Sequence, residues 1–146
     1  MESVKVLEQL SQGFDCSQVF LSDASKKYGL MDDCMAKRVS ACFGCGMWSG
    51  QVCGAVTGAY MALGLKYGHS SPNEKDAKDI TTGKISQFNK MFEDRYNSIL
   101  CEDILGYNLA RPDELERIMY KGLLTVLCPQ VVSEALEMLD TCMEEG

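Results

Sequence analysis

Apolar positions along the chain recur mostly at spacings of three and four, and no stretch alternates cleanly between apolar and polar. The pattern predicts helices almost throughout. A short first helix is expected over residues 2–11, ended by Gly13. A second is expected over residues 15–28, with Cys16, Val19, Phe20 and Ala24 as its apolar stripe and Gly29 as its stop. A third covers residues 32–42. A glycine-rich turn over residues 43–50 leads into a fourth helix over 51–66, and residues 68–73 read as a loop. A long amphipathic helix follows over residues 74–95. Gly83 is its weak point, because glycine in a helix costs about 1 kcal/mol relative to alanine. A short helical turn begins near Cys101. Another helix begins at Pro112, with Asp113 and Glu114 at its positive end. The last is expected to start at Cys128-Pro129, with Val131, Val132, Ala135, Leu136, Leu139 and Cys142 as its stripe. The expectation is an all-α, single-domain bundle of about six helices over residues 1–146, without internal repeat or linker.

Composition narrows the class. Apolar residues make up 46% and charged residues 24%, which is ordinary for a globular domain and excludes a disordered chain. The net charge is −7, from 14 basic and 21 acidic residues, so the surface repels phosphate and nucleic-acid binding is not expected. Residues Val39 to Leu65 carry no charge. Only about fourteen of them, after Gly50, look continuously helical and apolar, short of the roughly 20 that span a bilayer. That predicts a buried core helix and no membrane insertion. The first residues, Met1-Glu2-Ser3-Val4-Lys5-Val6, contain no apolar signal segment, so a cytoplasmic location is expected. Eight cysteines beside one histidine are the unusual feature. In a reducing compartment thiols serve metal or redox chemistry more often than structural disulfides.

Cys16, Cys53, Cys101 and Cys128 each fall at or near the start of a predicted helix. Pro129 at a first helical position would make Cys128 an N-cap. Unpaired N–H groups and the positive end of the dipole at a helix start stabilise a thiolate and lower its pKa. Acids flank Cys16 (Asp15) and Cys101 (Glu102, Asp103), whereas Cys53 has none within ten residues, which makes it the best nucleophile of the four. The competing reading is that these cysteines are core residues, since free cysteine packs as a small hydrophobe. Cys16 and Cys128 both lie on apolar stripes. Gly54, Gly58 and Ala62 share one face of the fourth helix, leaving a groove for close approach of another helix or a cofactor. Tight helix packing is the simpler reading; cofactor contact at Gly54 and Gly58 is the alternative.

Cys53-Gly54-Ala55-Val56-Thr57-Gly58, with Cys16 before it and Cys101 and Cys128 after it, resembles the redox-active protein family C_GCAxxG_C_C. The resemblance runs from Gly13-Phe14-Asp15-Cys16 through the last helix. It implies a small, mostly helical cytoplasmic protein of bacterial or archaeal type. It also implies that Cys16, Cys53, Cys101 and Cys128 form one four-cysteine set. A related helical domain in split-Soret-type cytochromes carries haem and an iron–sulfur centre, which keeps an iron–sulfur role in view. The chain departs from the family pattern at Cys42-Phe43-Gly44-Cys45-Gly46, where small residues are usual. Cys42 and Cys45 make a CxxC spacing, without the βαβ context of a thioredoxin-like site. With Cys53 they offer three ligands of a cluster, the fourth coming from elsewhere; an incidental pair of thiols is the plainer reading. Cys34 and Cys142 read as packing or surface residues.

Other candidates are weak. His69 lies in a predicted loop and reads as solvated. No phosphate-binding glycine loop and no haem-attachment signature occurs. Glu134, Glu137, Asp140, Glu144 and Glu145 read as a solvated helix face, and Trp48 as either a core residue or an interface anchor. Three functions compete. The first is thiol–disulfide exchange, with Cys53 attacking and Cys16, Cys101 or Cys128 resolving, on a redox partner protein or a small thiol or disulfide. The second is a metal site, iron–sulfur or zinc, with the same four thiolates as ligands. The third is a non-catalytic helical interaction protein, dimerising through the Gly54/Gly58/Ala62 face.

Overall fold

The structure is a computed structural model that describes residues 1–144. Asp15 begins the second helix with a capping box: its N–H donates to Gln18 Oε1 at 2.9 Å and its side chain accepts from the Gln18 N–H. Asp32 caps the next by accepting from the Met35 N–H at 3.0 Å. In chain order the helices are α1 (Ser3–Ser11), α2 (Cys16–Tyr28), α3 (Asp33–Ser40), α4 (Gly54–Tyr67), α5 (Lys75–Tyr96), α6 (Cys101–Leu105), α7 (Pro112–Lys121) and α8 (Leu123–Glu144). A wide, left-handed turn, Gly46–Gly50, closed by the Gln51 N–H on the Gly46 carbonyl at 3.0 Å, stands between α3 and α4. The fold is all-α, but it has eight α-helices and this turn among the described residues, not about six. The difference comes from short pieces that periodicity resolves poorly.

Two apolar clusters organise the bundle. The larger is built by α1, α2, α4, α5 and α8 around Phe20, Phe88, Phe92, Leu139 and Val56. The smaller joins Cys101, Leu105, Leu109 and Ile118, from α6, α7 and the segment between them, with Leu124 and Cys128 of α8 against it. α4 passes close to α2 because Gly58 has no side chain: a Cβ there would lie 2.9 Å from the Phe20 ring. The Gly54/Gly58/Ala62 face is thus covered within the chain.

Two expectations are corrected. α8 begins at Leu123, not at Cys128-Pro129, so Cys128 is not an N-cap. Gly122, at φ +66°, ends α7 and lets the chain restart at once. Pro129 then sits inside α8, where its missing N–H leaves the Thr125 carbonyl without its helical donor; Thr125 is exposed, so water can serve it. The acidic residues of α8 are not simply a solvated face. Glu134 pairs with Arg95 at 3.0 Å and accepts from the Tyr96 hydroxyl, while Asp140 pairs with Lys27 at 2.8 Å and accepts from the Tyr28 hydroxyl. They tie α8 to α5 and α2. Glu137 and Glu144 are exposed, and Glu145 lies outside the described residues. α5 runs unbroken through Gly83. Among the described residues no single helix is long and apolar enough to cross a membrane; α7 and α8 reach that length only together, bent by 79°.

Candidate functional site

A short antiparallel contact positions the central cysteines. Val52 and Leu100 form a single β-bridge just ahead of α4 and α6. The Cys53 N–H donates to the Ile99 carbonyl at 2.8 Å and the Cys101 N–H to the Gln51 carbonyl at 2.6 Å. The two cysteines are thereby clamped side by side, Cys53 as the N-cap of α4 and Cys101 as the first residue of α6. The Asp15 capping box puts Cys16 at the first position of α2. Gly54 lets it come close: a Cβ there would collide with the Cys16 sulfur and stand 2.9 Å from the Ser17 nitrogen.

The result is one pocket at the seam of the two apolar clusters. Cys16, Cys45, Cys53, Cys101 and Cys128 line it, with Gly54, Ile104, Leu105, Leu124, Val131 and Val132. It is a small, mostly apolar cavity of about 30 Å³. The four cysteines singled out from the sequence all face it. The fifth, Cys45, was only an alternative there. It arrives through a left-handed backbone, φ +52°, that begins a run continued by Met47 and Trp48 at φ +56° and +54°. The glycine-rich turn expected over residues 43–50 is there, but its glycines do not signal a left-handed backbone at Cys45, Met47 and Trp48. Cys42, its CxxC partner, is exposed, as is Cys34, and Cys142 is buried in the main core. Trp48 is exposed and so is His69. Gly54 lines the pocket, whereas Gly58 packs on Phe20 away from it.

Electrostatics run against the expected thiolate activation. Burial pushes the Cys53 and Cys45 thiols up to about 12, and the neighbouring sulfurs add to the effect. Burial also raises Cys101 and Cys128, again reinforced by the other cysteines. Cys16 is raised by burial and by Asp15, although backbone N–H groups of Cys45, Ser17 and Gly54 favour its thiolate. Three of the four cysteines do stand at helix starts, but desolvation in an apolar pocket outweighs a few N–H dipoles. Burial thus favours the neutral thiol over the thiolate at all five cysteines.

The donor set is soft: among the described residues the side-chain donors lining the pocket are sulfurs, with no histidine or carboxylate. That suits iron–sulfur or zinc chemistry by ligand type. Among the described residues no three His, Cys, Asp or Glu side chains are already gathered round a single metal ion; the sulfurs stand around a space instead. Residues 14–142 match the model of the family C_GCAxxG_C_C, described as a putative redox-active protein. No curated protein and no solved structure matches the chain.

Proposed function

The chain belongs to the C_GCAxxG_C_C family, and from that premise we propose that it is a one-electron carrier whose pocket holds an iron–sulfur cluster on Cys16, Cys53, Cys101 and Cys128. The observation that carries this reading is the convergence of the cysteines on one buried, apolar, all-sulfur pocket. Cys53 and Cys101 are 8% and 7% exposed, which hinders attack on a protein disulfide. Burial pushes the Cys53 thiol up, so little of the attacking thiolate is present at neutral pH. Burial is a handicap for an exchanging nucleophile and an asset for a cluster ligand. Cys16, Cys53, Cys101 and Cys128 would bind a cluster as thiolates, giving up their protons to do so, and the apolar residues around them would keep water away. A cluster also spreads its cysteines wider than one tetrahedral ion does, which favours iron–sulfur over zinc for sulfurs that surround a space. When bound, such a cluster supplies one-electron transfer. The chain supplies four thiolates from four elements, fixed by the Val52–Leu100 bridge, the Asp15 cap and the α8 frame.

The test is the iron, zinc and acid-labile sulfide content of protein purified without oxygen, before and after reconstitution with ferrous iron and sulfide. Matching iron and sulfide, both lost in Cys53→Ser and Cys101→Ser variants that keep their helical circular dichroism, is the expected result. A folded protein that takes up neither would end this reading and restore thiol exchange as the first hypothesis.

A further inference from the structure

Cys16, Cys45 and Cys128 face two spaces at once. Besides the inner pocket they line an open groove, walled by Leu10, Phe14, Asp15, Trp48 and Leu124. Cys53 and Cys101 line the inner pocket alone. The groove gives a small molecule a route to three sulfurs that the buried pocket otherwise hides.

Of those three, Cys45 is placed differently. Cys16 and Cys128 sit in helices, whereas Cys45 belongs to the loop between α3 and α4. Gly44 allows that loop to lie on the start of α2, since a Cβ at Gly44 would stand 2.5 Å from the Asp15 Cβ. Cys45 and Cys16 follow that contact in sequence and line the same inner pocket and the same groove. Side-chain rotation of Cys45 can aim its sulfur at Cys16 without moving a helix. A disulfide needs Cα atoms within about 7 Å, and the Gly44–Asp15 contact brings the two backbones together next to both cysteines.

We propose that Cys45 and Cys16 form a thiol-exchange site for a small disulfide entering from the groove. Cys45 is only partly buried and faces the groove, which Cys53 does not; burial raises its thiol as well, so its thiolate is a minor form and the exchange is slow at neutral pH. That thiolate attacks one sulfur of the incoming disulfide and displaces the first thiol, which takes up the proton Cys45 has lost, leaving a mixed disulfide on Cys45. The Cys16 sulfur then attacks Cys45, forms the Cys16–Cys45 bond and releases the second thiol. The two cysteines lose two electrons and two protons, and the incoming disulfide gains them as two thiols. The bond would also withdraw Cys16 from the four-cysteine set, so that an oxidised empty protein could not be loaded. That consequence, unlike the bond, rests on the cluster reading above.

The experiment uses the full chain free of iron, so that it stands apart from the iron and sulfide measurement. The protein is treated with oxidised glutathione, remaining thiols are blocked, and the disulfides are mapped by mass spectrometry. The expected first product is Cys16 joined to Cys45 with no retained glutathione, while Cys53 and Cys101 remain free thiols. A different first pair, such as Cys42–Cys45, Cys16–Cys128 or Cys53–Cys101, would overturn the proposal, as would glutathione held on Cys45 with no internal bond. In Cys45→Ser, formation of an internal disulfide at Cys16 should slow at least about tenfold; an unchanged rate overturns it equally. The map on the natural chain does not depend on the variant folding.

Discussion

The two apolar clusters are made of similar residues and behave as different materials. In the larger one, Phe20, Phe88 and Phe92 are fully buried, and the glycine face of α4 is filled by α2. In the smaller one, Leu105, Leu109 and Ile118 pack beneath α7, but the edge facing the main core is left as a pocket rimmed by sulfur. Close packing is the rule in protein interiors, so an unfilled seam flanked by filled cores is a feature in its own right. The seam also divides the cysteines. Cys53 is a member of the main core and Cys16 packs on it, whereas Cys101 is a member of the smaller one, with Cys45 and Cys128 against it. The site exists only while the two halves are held together.

This contrast can be broken from either side. The largest effect is expected from Phe20→Ala, which empties the contact between α2 and α4 and should cost about 3–5 kcal/mol, read as a fall in the urea midpoint for the whole chain. Ile118→Ala should cost about 2–5 kcal/mol but act locally. It should expose the amides of α7 to hydrogen exchange and empty the site, while α2 and α4 stay protected. Uniform loss of protection in that variant would mean that the clusters are one cooperative unit.

A third effect depends on pH. The thiols are neutral in the fold and their pKa values are raised, so the folded state keeps its protons above the pH at which an unfolded thiol loses them. Their contribution is full below about 9 and falls away as pH rises toward 12, the range set by Cys45 and Cys53. The melting temperature of the reduced, iron-free protein should therefore drop progressively above pH 9, and the drop should shrink in a Cys53→Ala variant. The smallest effect is expected from Cys34→Ser and Cys42→Ser. Both residues are exposed, so stability should stay within about 0.5 kcal/mol and iron content should not change.

Much of the helical frame was legible because caps and stops act locally. Asp15 and Gly29 bracket α2 as its sequence predicts, and the Asp32 cap opens α3. What failed were events that depend on tertiary support. Pro129 reads as a helix start, yet α8 carries it internally because Thr125 can turn to solvent and Gly122 has already made the break. The site divides in the same way. Cys16, Cys53 and Cys101 were visible through their helix starts, and Cys128 through the family pattern although its supposed cap was wrong. The rise in their pKa values was not, because it follows from burial among five sulfurs that no local window contains. Cys45 was obscured by a left-handed turn in non-glycine residues, a conformation that its neighbours, not its own side chain, impose.

The Val52–Leu100 bridge has a consequence for the history of the molecule in the cell. It closes a long stretch of chain with a single contact, and Cys128 lies further on still. At about 5–20 residues per second, translation separates the emergence of Cys53 from that of Cys128 by roughly 4–15 s. During that interval the early sulfurs are present without their partners. A cluster of the kind proposed above would find its four cysteines together only once synthesis has passed Cys128, so loading would accompany or follow the folding of the chain and not its synthesis.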